Sequence, residues 1–185
     1  MHGWENFYVM AGTAAATLTG LLFVVITLGI QLSASHAAHG IHAFVTPTLV
    51  HFGGVLLQAM AVLAPWPSAS PLGGILVVCG VIGLTYVTFV IRKLRGLDFV
   101  SPDLGTWIAY ASAPGVAHVC LIAGAVGLLE ERPFAPYTVA AATTLLLFVG
   151  IRDAWGLTLW IVEDRLRGSA RVARKHRARP EGSPG

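Results

Sequence analysis

From residue 6 to residue 91 the chain carries no Asp, Glu, Lys or Arg. A water-facing surface is built largely from such residues, which make up about a quarter of an ordinary soluble domain. Here they are 11% of the 185 residues, against 55% hydrophobic ones. The mean hydropathy is +0.72. A stretch of this length without charge has to be solvated by lipid, so the sequence specifies an all-α, polytopic membrane protein.

The first long apolar run, residues 7–31, would extend roughly 37 Å as a helix at about 1.5 Å per residue, enough to cross a hydrocarbon core of about 30 Å. Within it Gly12, Ala16 and Gly20 recur every fourth residue, the small-xxx-small pattern that lets helix backbones approach closely in lipid. Beside them Thr13, Thr17, Gly20, Val24, Thr27 and Gln31 alternate spacings of four and three and so share one mildly polar face. This seam is expected to receive other helices or further copies of itself. Later starts are marked by prolines behind capping hydroxyls, at Thr46-Pro47, Ser70-Pro71 and Ser101-Pro102, with a looser start around Pro133 and Pro136. The pattern predicts five spans, residues 7–32, 45–64, 71–94, 102–129 and 134–162, forming one transmembrane domain over residues 1–164. The basic segment 165–185 has the composition of a disordered tail. The N-terminus lacks the basic region of a signal peptide, and its apolar run is too long for one, so it is expected to be retained.

Lys and Arg set the orientation. Arg92, Lys93 and Arg95 follow the third span, and seven basic residues from Arg165 to Arg179 follow the fifth. Five crossings put both groups on one side, which makes the C-terminus cytoplasmic and the N-terminus external. Trp4, Tyr8, Trp66 and Tyr137 then fall near the outer interface, and Trp107, Trp155 and Trp160 near the inner one.

The polar residues inside the spans carry what functional information there is. Counting from span starts, His51 lies about 6 Å in from the cytoplasmic side, and Arg152 and Asp153 about 24 Å in from the opposite side. With Thr27 and Gln31 they define one polar layer at the inner mouth. Ionisable groups at such depth are costly and are normally paired or water-facing. The plainer reading has Arg152 reaching for headgroups and Asp153 pairing locally; the functional one is a gate or binding site on an ion or solute path. His118 follows Pro114 by one turn. By the same count it stands about 24 Å from the cytoplasmic end of its span, too far from His51 along the membrane normal for the two to share a haem iron. Its plain role is a neutral imidazole bonded to backbone. His36, His39 and His42, spaced at three, could on a continuous helix bring two imidazoles to one metal, but Gly40 interrupts them; otherwise they make a polar or pH-responsive loop. Cys79 and Cys120 sit in apolar runs without CxxC spacing, as small buried residues do. The basic tail fits anionic lipid, and nothing accompanies it that would bind nucleic acid. There is no HExxH, GxSxG, P-loop or dinucleotide-binding glycine pattern, so neither enzyme activity nor a cofactor is expected.

The run Trp4-x-Asn6-Phe7 followed by Gly12-x-Ala14-Ala15-Ala16-Thr17-Leu18-Thr19-Gly20-Leu21-x-Phe23-Val24 resembles the first helix of a group of small bacterial inner-membrane proteins, some of them labelled modulators of the FtsH protease. The stretch Gly150-Ile151-Arg152-Asp153-Ala154-Trp155 is similar to a second signature of that group, in which Asn often stands where this chain has Asp153. The resemblance implies a multi-pass protein of the bacterial cytoplasmic membrane and no catalytic residues. Together these readings lead to a homo-oligomer with a channel-like or small-solute path along the polar face of the first helix. The alternatives are a regulatory or scaffolding subunit of a larger membrane complex, and metal or haem binding by the histidines.

Overall fold

A computed structural model describes residues 3–32, 37–95 and 112–177. These residues form five helices and no strand: α1 (Glu5–Leu32), α2 (Ala37–Leu63), α3 (Ala69–Arg95), α4 (Ala113–Leu129) and α5 (Ala135–Arg177). Four of them contain stretches long and apolar enough to cross a membrane, in α1, α2, α3 and α5. α4 has 17 described residues, about 26 Å of helix; residues 102–111 of the fourth expected span, with the start at Ser101-Pro102 and Trp107, lie outside the described residues. Large apolar side chains such as Met10, Phe23, Met60, Ile82, Phe89 and Phe148 stand more than half exposed around the bundle. In water this would be an aggregating surface; in lipid it is the solvated one.

The helices differ from the expected ones in two places. α2 begins at Ala37 and carries Pro47 within it, so the segment read as a break is helical from Ala37 on, and Gly40 does not interrupt it. Pro47 removes one intrahelical donor, and a single glycine costs only about 1 kcal/mol, which the rest of the helix offsets. α5 runs on to Arg177, so residues 165–177 are helical where a disordered tail was expected. The reason is propagation: a helix already formed extends residue by residue without a new nucleus, and Arg, Lys and Ala are good helix formers. Residues 178–185 lie outside the described residues.

α2 and α5 are the central pair. α1 packs along α2 and touches α5 more lightly; α4 packs along α5, and α3 along α4, reaching α2 only in part. The tight contacts use glycine. The Phe52 ring lies against Gly150, so that a Cβ there would come within 2.5 Å of it, and Gly80 on α3 leaves the same room for Ile122 on α4. At one end Trp4 packs edge-to-face on Tyr137, with ring centroids 5.1 Å apart, which brings the beginnings of α1 and α5 together. At that end α4 closes in a Schellman turn: Arg132 N–H donates to Gly127 O at 2.8 Å and Glu131 N–H to Leu128 O at 3.2 Å. Glu131 occupies the left-handed position, φ 56°, that glycine usually fills.

Candidate functional site

Polar side chains meet inside the bundle at two levels. At the first, Thr143 of α5 donates its hydroxyl to Gln58 Oε1 of α2 at 2.9 Å and lies 2.9 Å from its own Val139 O. The Tyr8 hydroxyl of α1 lies beside Thr143 without a well-formed hydrogen bond of its own. Tyr8, Gln58 and Thr143 are all fully buried.

The second level is ionisable. His51 Nδ1 on α2 lies 3.2 Å from Asp153 Oδ2 on α5, and the two side chains are only 5% and 4% exposed. The contact has ion-pair distance but is off the line of the ring N–H, and both imidazole nitrogens lack a hydrogen bond among the described residues. Asp153 Oδ1 accepts from Arg152 Nη2 at 2.8 Å and from Nε at 3.3 Å, and the Arg152 side chain is 36% exposed. One end of the carboxylate is thus neutralised by a cation at the bundle surface and the other faces an enclosed imidazole. Thr48, one turn before His51, is also fully buried.

α4 and α3 bring their own polar groups to this interior. His118 of α4 donates from Nδ1 to Pro114 O at 2.7 Å. A carbonyl oxygen only accepts, so the proton is on Nδ1 and Nε2 is left with its lone pair. That nitrogen lies against Gly83 of α3, where any Cβ would overlap the imidazole. Gly83 thus seats the His118 ring of α4 against α3, with Tyr86 almost one turn further along α3.

Of the expected polar layer, His51, Arg152 and Asp153 come together. Thr27 does not join them: it is exposed, and its hydroxyl returns to Phe23 O at 2.8 Å. The side chain of Gln31 lies outside the described residues. Thr13 and Thr17 are exposed on the outer side of α1, as are Ala16 and Gly20, whereas Gly12 is buried, with room for no more than hydrogen before Ala59. The small-residue seam thus splits, because each step of four residues turns about 40° further round a helix of 3.6 residues per turn. The start of the span from which the depth of His118 is counted lies outside the described residues; within them its ring is drawn back one turn, onto Pro114 O. His36 lies outside the described residues, as do the side chains of His39 and His42, and among the described residues no group of three His, Cys, Asp or Glu could hold a metal.

Tyr86, Gln58 and Thr143 were not among the expected site residues. Gln58 was within reach: Thr48, His51, Val55 and Gln58 alternate spacings of three and four and so share a face. Tyr86 and Gly83 matter only through what α4 places opposite them. No family model, curated protein or solved structure matches this chain.

Proposed function

We propose that this is a multi-pass protein of the bacterial cytoplasmic membrane with a polar path through the inside of each protomer, and that the His51–Asp153 pair is the gate or binding site on it for an ion or small polar solute. One observation supports this above the others: an imidazole and a carboxylate, both nearly fully enclosed, are held together inside the bundle. Desolvating such groups costs several kcal/mol per ion, and the imidazole gains no hydrogen bond in return. A chain that needed only stability would do as well with apolar side chains there. The small exposed residues of α1, Ala16 and Gly20 beside Thr13 and Thr17, supply a surface for homo-oligomers, and the basic end of α5 belongs to the cytoplasmic side by the positive-inside rule. In this reading the threonine face of α1 assembles protomers and does not line the path.

The test is flux. Purified protein in liposomes is expected to pass monovalent ions or a small solute such as glycerol, and Asp153→Asn and His51→Gln are expected to change the rate at least tenfold. Absence of flux for every species tried, with the protein folded, would remove the proposal. A second reading, a non-transporting regulatory subunit, is favoured by the helical extension of α5 with its row of basic residues. It calls for a partner that co-purifies with the full chain and is lost when the chain is cut after Glu163.

A further inference from the structure

We infer that the species this site takes up is a proton, received at Nε2 of His51 and passed through the ring to Asp153. The inference rests on the interior-path reading above and names its cargo. It starts from an unspent valence: His51 is 95% buried by side chain, yet Nε2 has no partner and Nδ1 lies 3.2 Å from a carboxylate oxygen without a formed hydrogen bond. A buried polar atom left in that state in a membrane interior forfeits about 1–3 kcal/mol unless something fills it. A modest rotation of the ring aligns Nδ1–H with Asp153 Oδ2 and leaves Nε2 as a bare acceptor. A single bare lone pair in an enclosed place suits the smallest cation, a proton.

Ligand number decides against a larger ion. Asp153 is already engaged by Arg152 at 2.8 Å, and among the described residues no group of three His, Cys, Asp or Glu could hold a metal ion. A proton needs only the one lone pair of Nε2. Uptake at Nε2 gives an imidazolium. Loss of the Nδ1 proton to Asp153 Oδ2 then leaves a neutral ring of the other tautomer and a neutral carboxylic acid. One proton has entered and one bond to hydrogen has formed on the carboxyl oxygen. Arg152, whose side chain is 36% exposed, is released toward the surface, and returns when the acid gives up its proton. Asp153, paired with Arg152, faces the ring from α5; α4 carries His118 and α3 carries Tyr86, and the charge that α1 carries, Glu5, is in its first turn.

Nitrogen-15 NMR of imidazole-labelled full-length protein in bilayers reads this directly, with His51→Gln used to assign the signal. The expected result is a His51 ring with one proton, on Nδ1, at the alkaline end, and a proton on Nε2 once the pH is lowered. Asp153→Asn, which removes the acceptor of the Nδ1 proton, is expected to abolish that uptake. A ring whose Nε2 stays bare throughout, or is already protonated at the alkaline end, overturns the inference. So does a stoichiometric change on adding zinc or copper(I) to protein that shows no proton uptake. Because the measurement is at equilibrium, proton uptake without flux would sink the path and leave the proton site standing, and flux without uptake would do the reverse.

Discussion

Replacing Gly83 by alanine tests the architecture of the site with a single methyl group. A Cβ at Gly83 would overlap the imidazole of His118, and that ring is buried and tied to Pro114 O at 2.7 Å. Either the ring leaves its position or α3 and α4 move apart. Overpacking a well-packed interior costs about 1–3 kcal/mol, and giving up the hydrogen bond adds about 0.5–1.5 kcal/mol. Together they predict a loss of about 2–4 kcal/mol, opposite in sign to the gain of up to about 1 kcal/mol that Gly to Ala brings in an unobstructed helix. Gly74, on the same helix with nothing within 4 Å of its would-be Cβ, is the control, and Gly74→Ala should be neutral or stabilising. Equilibrium unfolding in mixed micelles, followed by tryptophan fluorescence, measures both. Adding His118→Ala to Gly83→Ala should recover part of the loss, as a coupling of about 1–3 kcal/mol in a double-mutant cycle. If the two alanine variants unfold alike, the helices do not meet as described and the polar neighbourhood loses its α3 and α4 walls.

Three further outcomes follow from named contacts. Glu131→Gly should stabilise the chain by about 0.5–1 kcal/mol in the same assay, since it relieves a left-handed backbone position; a loss would mean the Glu131 side chain has work of its own. Gly12→Leu should destabilise the protomer by at least about 2 kcal/mol, because its Cβ alone would come within 2.9 Å of Ala59, whereas Gly20→Leu should leave the fold intact and weaken self-association measured by crosslinking in bilayers. Thr143→Val should cost about 1 kcal/mol more than Gln58→Leu by unfolding, since the first strands a buried amide, while the second leaves Thr143 its bond to Val139 O.

The membrane class was legible because it depends on an average: no arrangement of an uncharged stretch reaching from residue 6 to 91 makes a soluble surface. That His51, Arg152 and Asp153 stand at one level was legible too. Both depths are counted along a straight helix with a known rise, and an error of one turn still leaves them at one level. The tail was misread because composition reports what an isolated segment would do, and residues 165–177 are attached to a helix already formed.

Which groups share an interior was decided by packing alone. Gly12 faces α2 and Gly20 faces outward, although the repeat that joins them is unbroken, because the direction of each depends on which neighbour settles where around α1. His118 packs against α3 because Gly83 leaves room for its ring, and nothing local to the histidine records that choice. Periodicity and hydropathy are properties of one helix and can be read along it; the meeting of side chains from different helices is a property of their contacts, and exists only once the chain has folded.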